Sequence, residues 1–358
     1  MRGAVISDLH TGHPQVPAVN LREALIRWCY PRLKGIEILF ISGDFFDVLL
    51  DLNSKAGYCA GMIINDLKQL AYSEHFYIRV LRGTFKHDRH QNHFFLTDQD
   101  PGLNGSPLVS VIDTPSVEYI SSLNINILYL PDEMPGDIYD TIENLASVNH
   151  IDKFDFIINH GYFEHLLPRG IPSMPKNTLN QQRINKYVKG CVFNGHVHST
   201  SVYHNVVNVG SFERLCHGEE ESKGFYLFDY DYHKVKLEFV ENKSATWFKT
   251  FKYNEKTTLD GFITWITQQG LDPERAYHLR LYGENLNIKA ELESYVRQVY
   301  PFVLVSICDL STVKQNVSTT TFVMEELPPV TEANLAETIY EHIEHKLTVE
   351  QIKEVLNG

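Results

Sequence analysis

The stretch Cys191-Val192-Phe193-Asn194-Gly195-His196-Val197-His198 decides how the rest of this chain is read. An apolar run stopped by glycine has the pattern of a short buried strand, so His196 and His198 are expected just beyond that strand's carboxyl end. Two imidazoles one residue apart can hold a metal ion. A G-H-x-H standing alone equally fits ordinary loop histidines, and the segments upstream decide between the two.

Working outward, Ala4-Val5-Ile6-Ser7 is too short and too β-branched for a helix, and it runs into Asp8-Leu9-His10. Residues 21–30 carry helical spacing, and residues 36–41 read as a buried parallel strand that delivers Gly43-Asp44-Phe45-Phe46-Asp47. In such a β-α-β unit the loops at the strands' carboxyl ends converge, which is where ligands bind. Asp8, His10 and Asp44 are therefore expected on one edge. Residues 56–72 predict a helix whose Met62, Ile63, Leu67 and Leu70 pack a core, a homodimer contact being the sharper alternative. A third strand, residues 76–81, leads into Gly83-Thr84-Phe85-Lys86-His87-Asp88. Residues 109–112, 117–120 and 125–130 follow at the close spacing of a β meander, and residues 154–158 end in Asn159-His160-Gly161. Beyond the G-H-x-H, residues 201–208 lead on to the paired runs 224–230 and 234–240 around a polar turn.

Asp8, His10, Asp44, His160, His196 and His198, each at a strand end, read together as a dinuclear metal centre. Carboxylates and neutral imidazoles without thiolates suit Mn²⁺, Fe or Zn²⁺ rather than a structural zinc. Two ions ~3.5–4 Å apart share a bridging ligand, and Asp44 is the expected bridge.

The 358 residues, 43% hydrophobic and 22% charged, allow a sizeable core and about two domains. With 45 acidic against 32 basic residues the formal charge is −13, which argues against coating nucleic acid by charge alone. Five scattered cysteines predict reduced thiols in a cytoplasmic setting. No signal peptide or membrane span is expected.

D-x-H, G-D-x-x-D, a strand-end histidine and G-H-x-H together resemble the calcineurin-like metallophosphoesterases. More narrowly, Gly210-Ser211-Phe212-Glu213-Arg214, then Gly218-Glu219-Glu220 and Lys223-Gly224-Phe225, resemble SbcD-type DNA repair and recombination nucleases, the Mre-eleven proteins and large-phage subunits among them. The likeness covers residues 1–241 well and the remainder in layout only. It implies an α/β fold, a layered β-sandwich flanked by helices, with a nuclease domain over residues 1–241. A small α/β capping domain that contacts DNA would follow over 242–326, and C-terminal helices over 327–358. It implies a Mn²⁺-dependent deoxyribonuclease, exonuclease or endonuclease, using hydroxide generated by two ions. Asp8, His10, Asp44 and His198 would hold one ion, and Asp44, His160 and His196 the other.

The family's third loop reads G-N-H-D, with Asn on the second ion and His protonating the leaving group. Here His87-Asp88 matches the second half, with Asp88 expected to orient His87, but the Asn is absent and the loop is two residues longer. Thr84 or His87 is the candidate replacement ligand and Lys86 a candidate phosphate contact. The helices expected at 332–345 and 349–356 would dock on an SbcC/Rad-fifty-type ATPase. Two other readings fit the same residues: a phosphoesterase of small molecules or proteins, and a metal-poor scaffold of the ATPase complex.

Overall fold

In the computed structural model, residues 1–96, 100, 102–167, 173–271 and 277–309 are described. The chain opens with β1 (Arg2–Ile6), α1 (Ala18–Ala24), β2 (Ile38–Ser42), α2 (Lys55–Glu74), β3 (Tyr77–Leu81) and β4 (Val109–Ile112). It continues through β5 (Ser116–Ile120), β6 (Ile125–Leu130), α3 (Ile138–Val148), β7 (Phe154–His160), β8 (Val188–Gly195), β9 (Ser201–Tyr203) and β10 (Val206–Asn208). Two long strands, β11 (Gly224–Tyr230) and β12 (Val235–Glu241), follow.

These strands make two mixed six-stranded sheets, ordered β12-β11-β1-β2-β3-β4 and β5-β6-β7-β8-β10-β9. The strands at the heart of each sheet, β1 to β4 and β6 to β8 with β10, run parallel. Period-two geometry explains their near-continuous apolar sequences, since both faces of each sheet are covered. Val5, Ile38, Phe40 and Tyr77 point from the first sheet toward Ile127, Phe156, Ile158 and Phe193 of the second, forming a shared core. There the Phe40 ring lies 6.0 Å from Phe156 and 6.2 Å from Phe193. Each such buried side chain contributes about 1.5–3 kcal/mol. The alternate residues Ala4, Ile6, Leu39 and Ile41 face outward onto Leu21 and Ala24 of α1 and Ile63 and Leu67 of α2. Leu128, Ile157 and Val192 pack likewise on Ile138 and Ile142 of α3. The result is a helix-sheet-sheet-helix sandwich.

Several expectations change. The meander does not form: β4 pairs parallel with β3 in the first sheet, and of these three strands β5 and β6 alone pair with each other, antiparallel, in the second. The break Asp113-Thr114-Pro115 carries the chain from one sheet to the other. The helix expected over 21–30 ends its α-helical part at Ala24 and continues as a π turn and a 3-10 turn into Arg32. Pro31 offers no N–H and keeps a regular helix from running on. Helix α3 and the later helix at 259–267 were not anticipated; Asp137, accepting from the amides of Tyr139 and Asp140, caps α3.

Past β12 come β13 (Trp247–Tyr253), α4 (Leu259–Thr267), β14 (Tyr277–Gly283), α5 (Leu286–Val299) and β15 (Val303–Asp309). The three strands form a parallel sheet with its own apolar core, Phe262, Ile266, Leu279, Leu281, Leu292 and Val296 among its members. It abuts the sandwich directly: His278 Nε2 lies 3.1 Å from Gln15 O, and the Phe248 ring 5.2 Å from that of His217. The described residues accordingly belong to one compact unit. The expected helices at 332–345 and 349–356 lie outside the described residues. Among those described, no helix is long and apolar enough to cross a membrane.

Candidate metal centre

The parallel strands of both sheets end at one edge, and there the sequence-predicted residues converge. The β1 and β2 loops are zipped together by backbone hydrogen bonds from Asp8 N to Gly43 O at 3.1 Å, His10 N to Asp44 O at 3.0 Å and Thr11 N to Phe45 O at 2.8 Å. Asp8, His10, Asp44 and His196 all adopt positive φ, at 50°, 45°, 48° and 84°. Such backbone costs on the order of 1–3 kcal/mol per non-glycine residue and persists where the surroundings over-determine it, typically at functional sites. Glycines make the close approach of the loops possible. A Cβ on Gly83 would fall 2.2 Å from Asp44 Oδ1, and one on Gly195 2.2 Å from Ser42 O.

Three overlapping triads emerge, each with donor atoms within 4.8 Å of one another: Asp8, His10 and His198; Asp44, His160 and His196; His10, Asp44 and His87. Asp8, His10, Asp44 and His160 are buried, whereas His196 and His198 are half-exposed at the mouth. Asp44 stands between the first two triads, its Oδ2 lying 3.8 Å from His10 Nε2 and 3.3 Å from His160 Nε2.

The imidazoles are held by one nitrogen and offer the other. His10 Nδ1 donates to Asp47 Oδ1 at 3.0 Å, and His198 Nδ1 to Glu219 Oε1 at 2.9 Å. His160 Nδ1 donates to Ser42 O at 2.6 Å, and His87 Nδ1 to Asp47 O, also at 2.6 Å. Carboxylates and carbonyls behind ligating histidines fix tautomer and ring orientation in this way. With their Nδ1 atoms committed, the Nε2 atoms of His10 and His198 face each other at 3.1 Å. His160 Nε2 is buried and makes no well-formed hydrogen bond, its neighbour being Asp44 Oδ2 at 3.3 Å. A divalent cation satisfies both arrangements, so the donor set fits one.

The electrostatics agree. Burial opposes charge on His160, yet the Asp44 carboxylate outweighs it and raises its pKa to about 10. Burial likewise works against Asp44's charge, but His160 and His10 hold that carboxyl well below its usual range. Burial disfavours a charged Glu219 as well; the hydrogen bond from His198 and the nearby Lys223 ammonium bring it down to about 2. His196 is lowered by burial and by the neighbouring His160.

The third loop departs from expectation. Asp88 makes no hydrogen bond to the His87 ring, which is held by Asp47 O instead. Its fully buried carboxylate accepts from the backbone amides of Gly83 at 2.7 Å, Phe46 at 3.0 Å and Asp44 at 3.1 Å, clamping the β2 and β3 loops together. The 3.6-residue turn over Phe85–Asp88 sends the two side chains in different directions, Asp88 inward and His87 toward His10. Thr84 Oγ1 lies 3.4 Å from both Asp44 Oδ2 and His196 Nδ1, in the space between them. Lys86 is exposed.

Some contributors were not singled out in the sequence. Asp132, two residues past β6, brings Oδ2 to 3.3 Å from Thr84 Oγ1 and 4.0 Å from His196 Nδ1. Its signal is a Pro-Asp at a strand end. Asn159, Asn194 and Asn208 stand in register across β7, β8 and β10. Asn159 Nδ2 donates to Asn194 Oδ1 at 2.5 Å, Asn194 Nδ2 to Asn208 Oδ1 at 2.8 Å, and Asn208 Nδ2 to Val197 O at 2.8 Å. This buried ladder fixes the loop bearing His196 and His198. The segment that carried the narrower resemblance forms the adjoining wall: Lys223 Nζ donates to His198 O at 2.9 Å, and Arg214 to Glu221 O and Thr246 O.

No known family's sequence profile matches the chain, and no curated protein matches it significantly.

Proposed function

We propose that this chain is a two-metal phosphodiesterase of the calcineurin-like kind, acting on DNA as the nuclease subunit of an SbcCD-like repair or recombination complex. The reading rests on His160, whose buried Nε2 meets the Asp44 carboxylate at 3.3 Å in the heart of the convergent donor set without a well-formed hydrogen bond. A histidine so placed costs stability unless a cation or proton completes it. Supporting the narrower assignment, the Gly210–Phe225 segment supplies Glu219 behind His198 and Lys223 beneath it.

Asp8, His10, Asp44 and His198 would hold one Mn²⁺, and Asp44, His160 and His196 the other, with Thr84 or His87 in place of the family's asparagine. When bound, such ions supply a nucleophilic water at neutral pH and offset the charge that develops at phosphorus. Asp47 and Glu219 keep His10 and His198 in the tautomer that offers Nε2. His87, its Nδ1 proton committed to Asp47 O, would serve through Nε2, as a ligand when neutral or as the donor of a proton to the leaving oxygen when the ring is doubly protonated. Asp88 holds the loops in place. With a net charge of −13, grip on DNA would come from the partner ATPase docked on the C-terminal residues as much as from this chain.

The test combines elemental analysis after loading with Mn²⁺ and digestion of end-labelled duplex, hairpin and single-stranded DNA. Two ions per chain and cleavage that disappears in Asp44→Ala and His196→Ala, with the fold intact by circular dichroism, are expected. Cleavage retained in Asp44→Ala would overturn the centre; activity on model phosphodiesters but on no DNA would overturn the substrate class.

A further inference from the structure

Beside the centre, a second set of donors meets at the same end of the first sheet. His90 precedes the 3-10 turn Gln91–Phe95 and His93 lies within it. At three residues per turn, side chains three apart eclipse one another, and these two rings lie 5.9 Å apart. Asp113 directly follows β4, whose parallel pairing with β3 carries it to the edge where the third loop emerges. Asp113 Oδ2 contacts His93 Nε2, while its Oδ1 is buried without a hydrogen-bond partner. One donor atom from each of the three residues lies within 4.8 Å of the other two.

We infer that His90, His93 and Asp113 form a third divalent-cation site, separate from the dinuclear centre and of the zinc class. Two imidazoles and a carboxylate are a borderline donor set, suited to Zn²⁺ with an open coordination position, whereas Mg²⁺ and Ca²⁺ favour oxygen alone. Both histidines are exposed, so the site loads from solvent. An ordinary His93–Asp113 ion pair accounts for one contact, and Phe85 packs edge-on against the His90 ring, but neither accounts for a His90 nitrogen meeting this pair or for the second Asp113 oxygen.

The turn is well anchored. Gln91 Oε1 accepts from Leu50 N at 2.8 Å, Gln91 Nε2 donates to Val48 O at 2.9 Å, and Phe95 packs edge-on against Phe45 at 5.0 Å. This anchoring holds the two histidines in place before any ion arrives, so little ordering entropy is lost on binding. The segment also begins with His87 and Asp88, so an ion here would tie that loop to β4.

The experiment is calorimetric titration of Zn²⁺ into the full chain carrying His10→Ala, Asp44→Ala and His196→Ala, which breaks all three central triads and makes the result independent of the dinuclear reading. About one Zn²⁺ per chain should still bind. Adding His90→Ala and His93→Ala, or Asp113→Asn alone, should weaken it by at least about 100-fold, since even outer-shell losses cost 10–100-fold. Co²⁺ in place of Zn²⁺ should give visible absorption bands that the same changes abolish, and thermal melting checks that the exposed substitutions leave the fold intact. Absence of binding in the starting variant, or binding insensitive to all three changes, overturns the inference.

Discussion

Substituting one glycine tests whether the metal centre depends on direct contact between loop backbones. A Cβ on Gly195 would lie 2.2 Å from Ser42 O, 2.3 Å from Ser7 Oγ and 2.7 Å from His160 Nδ1. Two of these neighbours are fixed, one a main-chain carbonyl in β2 and the other a buried ring, so the loops must separate. Overpacking a tight interior costs about 1–3 kcal/mol. Displacing Ser42 O also breaks its hydrogen bond from His160 Nδ1, about 1 kcal/mol more. A Gly195→Ala loss of about 2–4 kcal/mol follows, or a fall in Tm of about 4–16 °C at roughly 2–4 °C per kcal/mol. Gly161 serves as the control, because a Cβ there meets only Asn159 Nδ2, at 3.7 Å. Differential scanning calorimetry of both variants, with Mn²⁺ stoichiometry alongside, reads the outcome. Gly195→Ala should melt early and lose ions while Gly161→Ala stays near the parent. Equal melting of the two variants, with full metal loading in both, would refute the reasoning.

Two further predictions follow from other buried carboxylates. Asp88→Ala orphans three buried amides at roughly 1–3 kcal/mol each, outweighing the relieved repulsion with Asp44. Chemical denaturation should therefore show a loss of several kcal/mol, and a variant of parental stability that only cleaves slowly would return Asp88 to a helper's role. Burial pushes the Glu213 carboxyl from 4.5 up to about 7. The folded protein therefore keeps a proton that the unfolded chain gives up, and stability from this group is full below pH 4.5 and lost as pH rises to 7. The change is about 3 kcal/mol. Glu213→Gln should flatten that slope in unfolding midpoints taken at pH 5 and 7; identical slopes in parent and variant would count against it.

The local signals in this sequence are strong because parallel strands buried on both faces must be apolar throughout and then stop. Runs such as residues 36–41 and 191–193, each ending in Gly plus Asp or His, therefore announced both the strands and the edge where Asp8, His10, Asp44, His160, His196 and His198 meet. The helix at 55–74 was legible from its apolar spacing. Pairing was not. Whether β4 joins β3 or β5 depends on which sheet buries it, and nothing within four residues of alternating sequence encodes that choice. The roles of Asp88 and Asp132 were also hidden. Adjacency to His87 in sequence suggested that Asp88 orients the ring, but the direction of a side chain on a single tight turn is set by the amides packed against it. Likewise His160 draws its carboxylate neighbour, its raised pKa and its carbonyl anchor from residues more than a hundred positions away in the chain. Side-chain chemistry was written in the sequence; which nitrogen is held and which is offered was decided by how the two sheets close on one another.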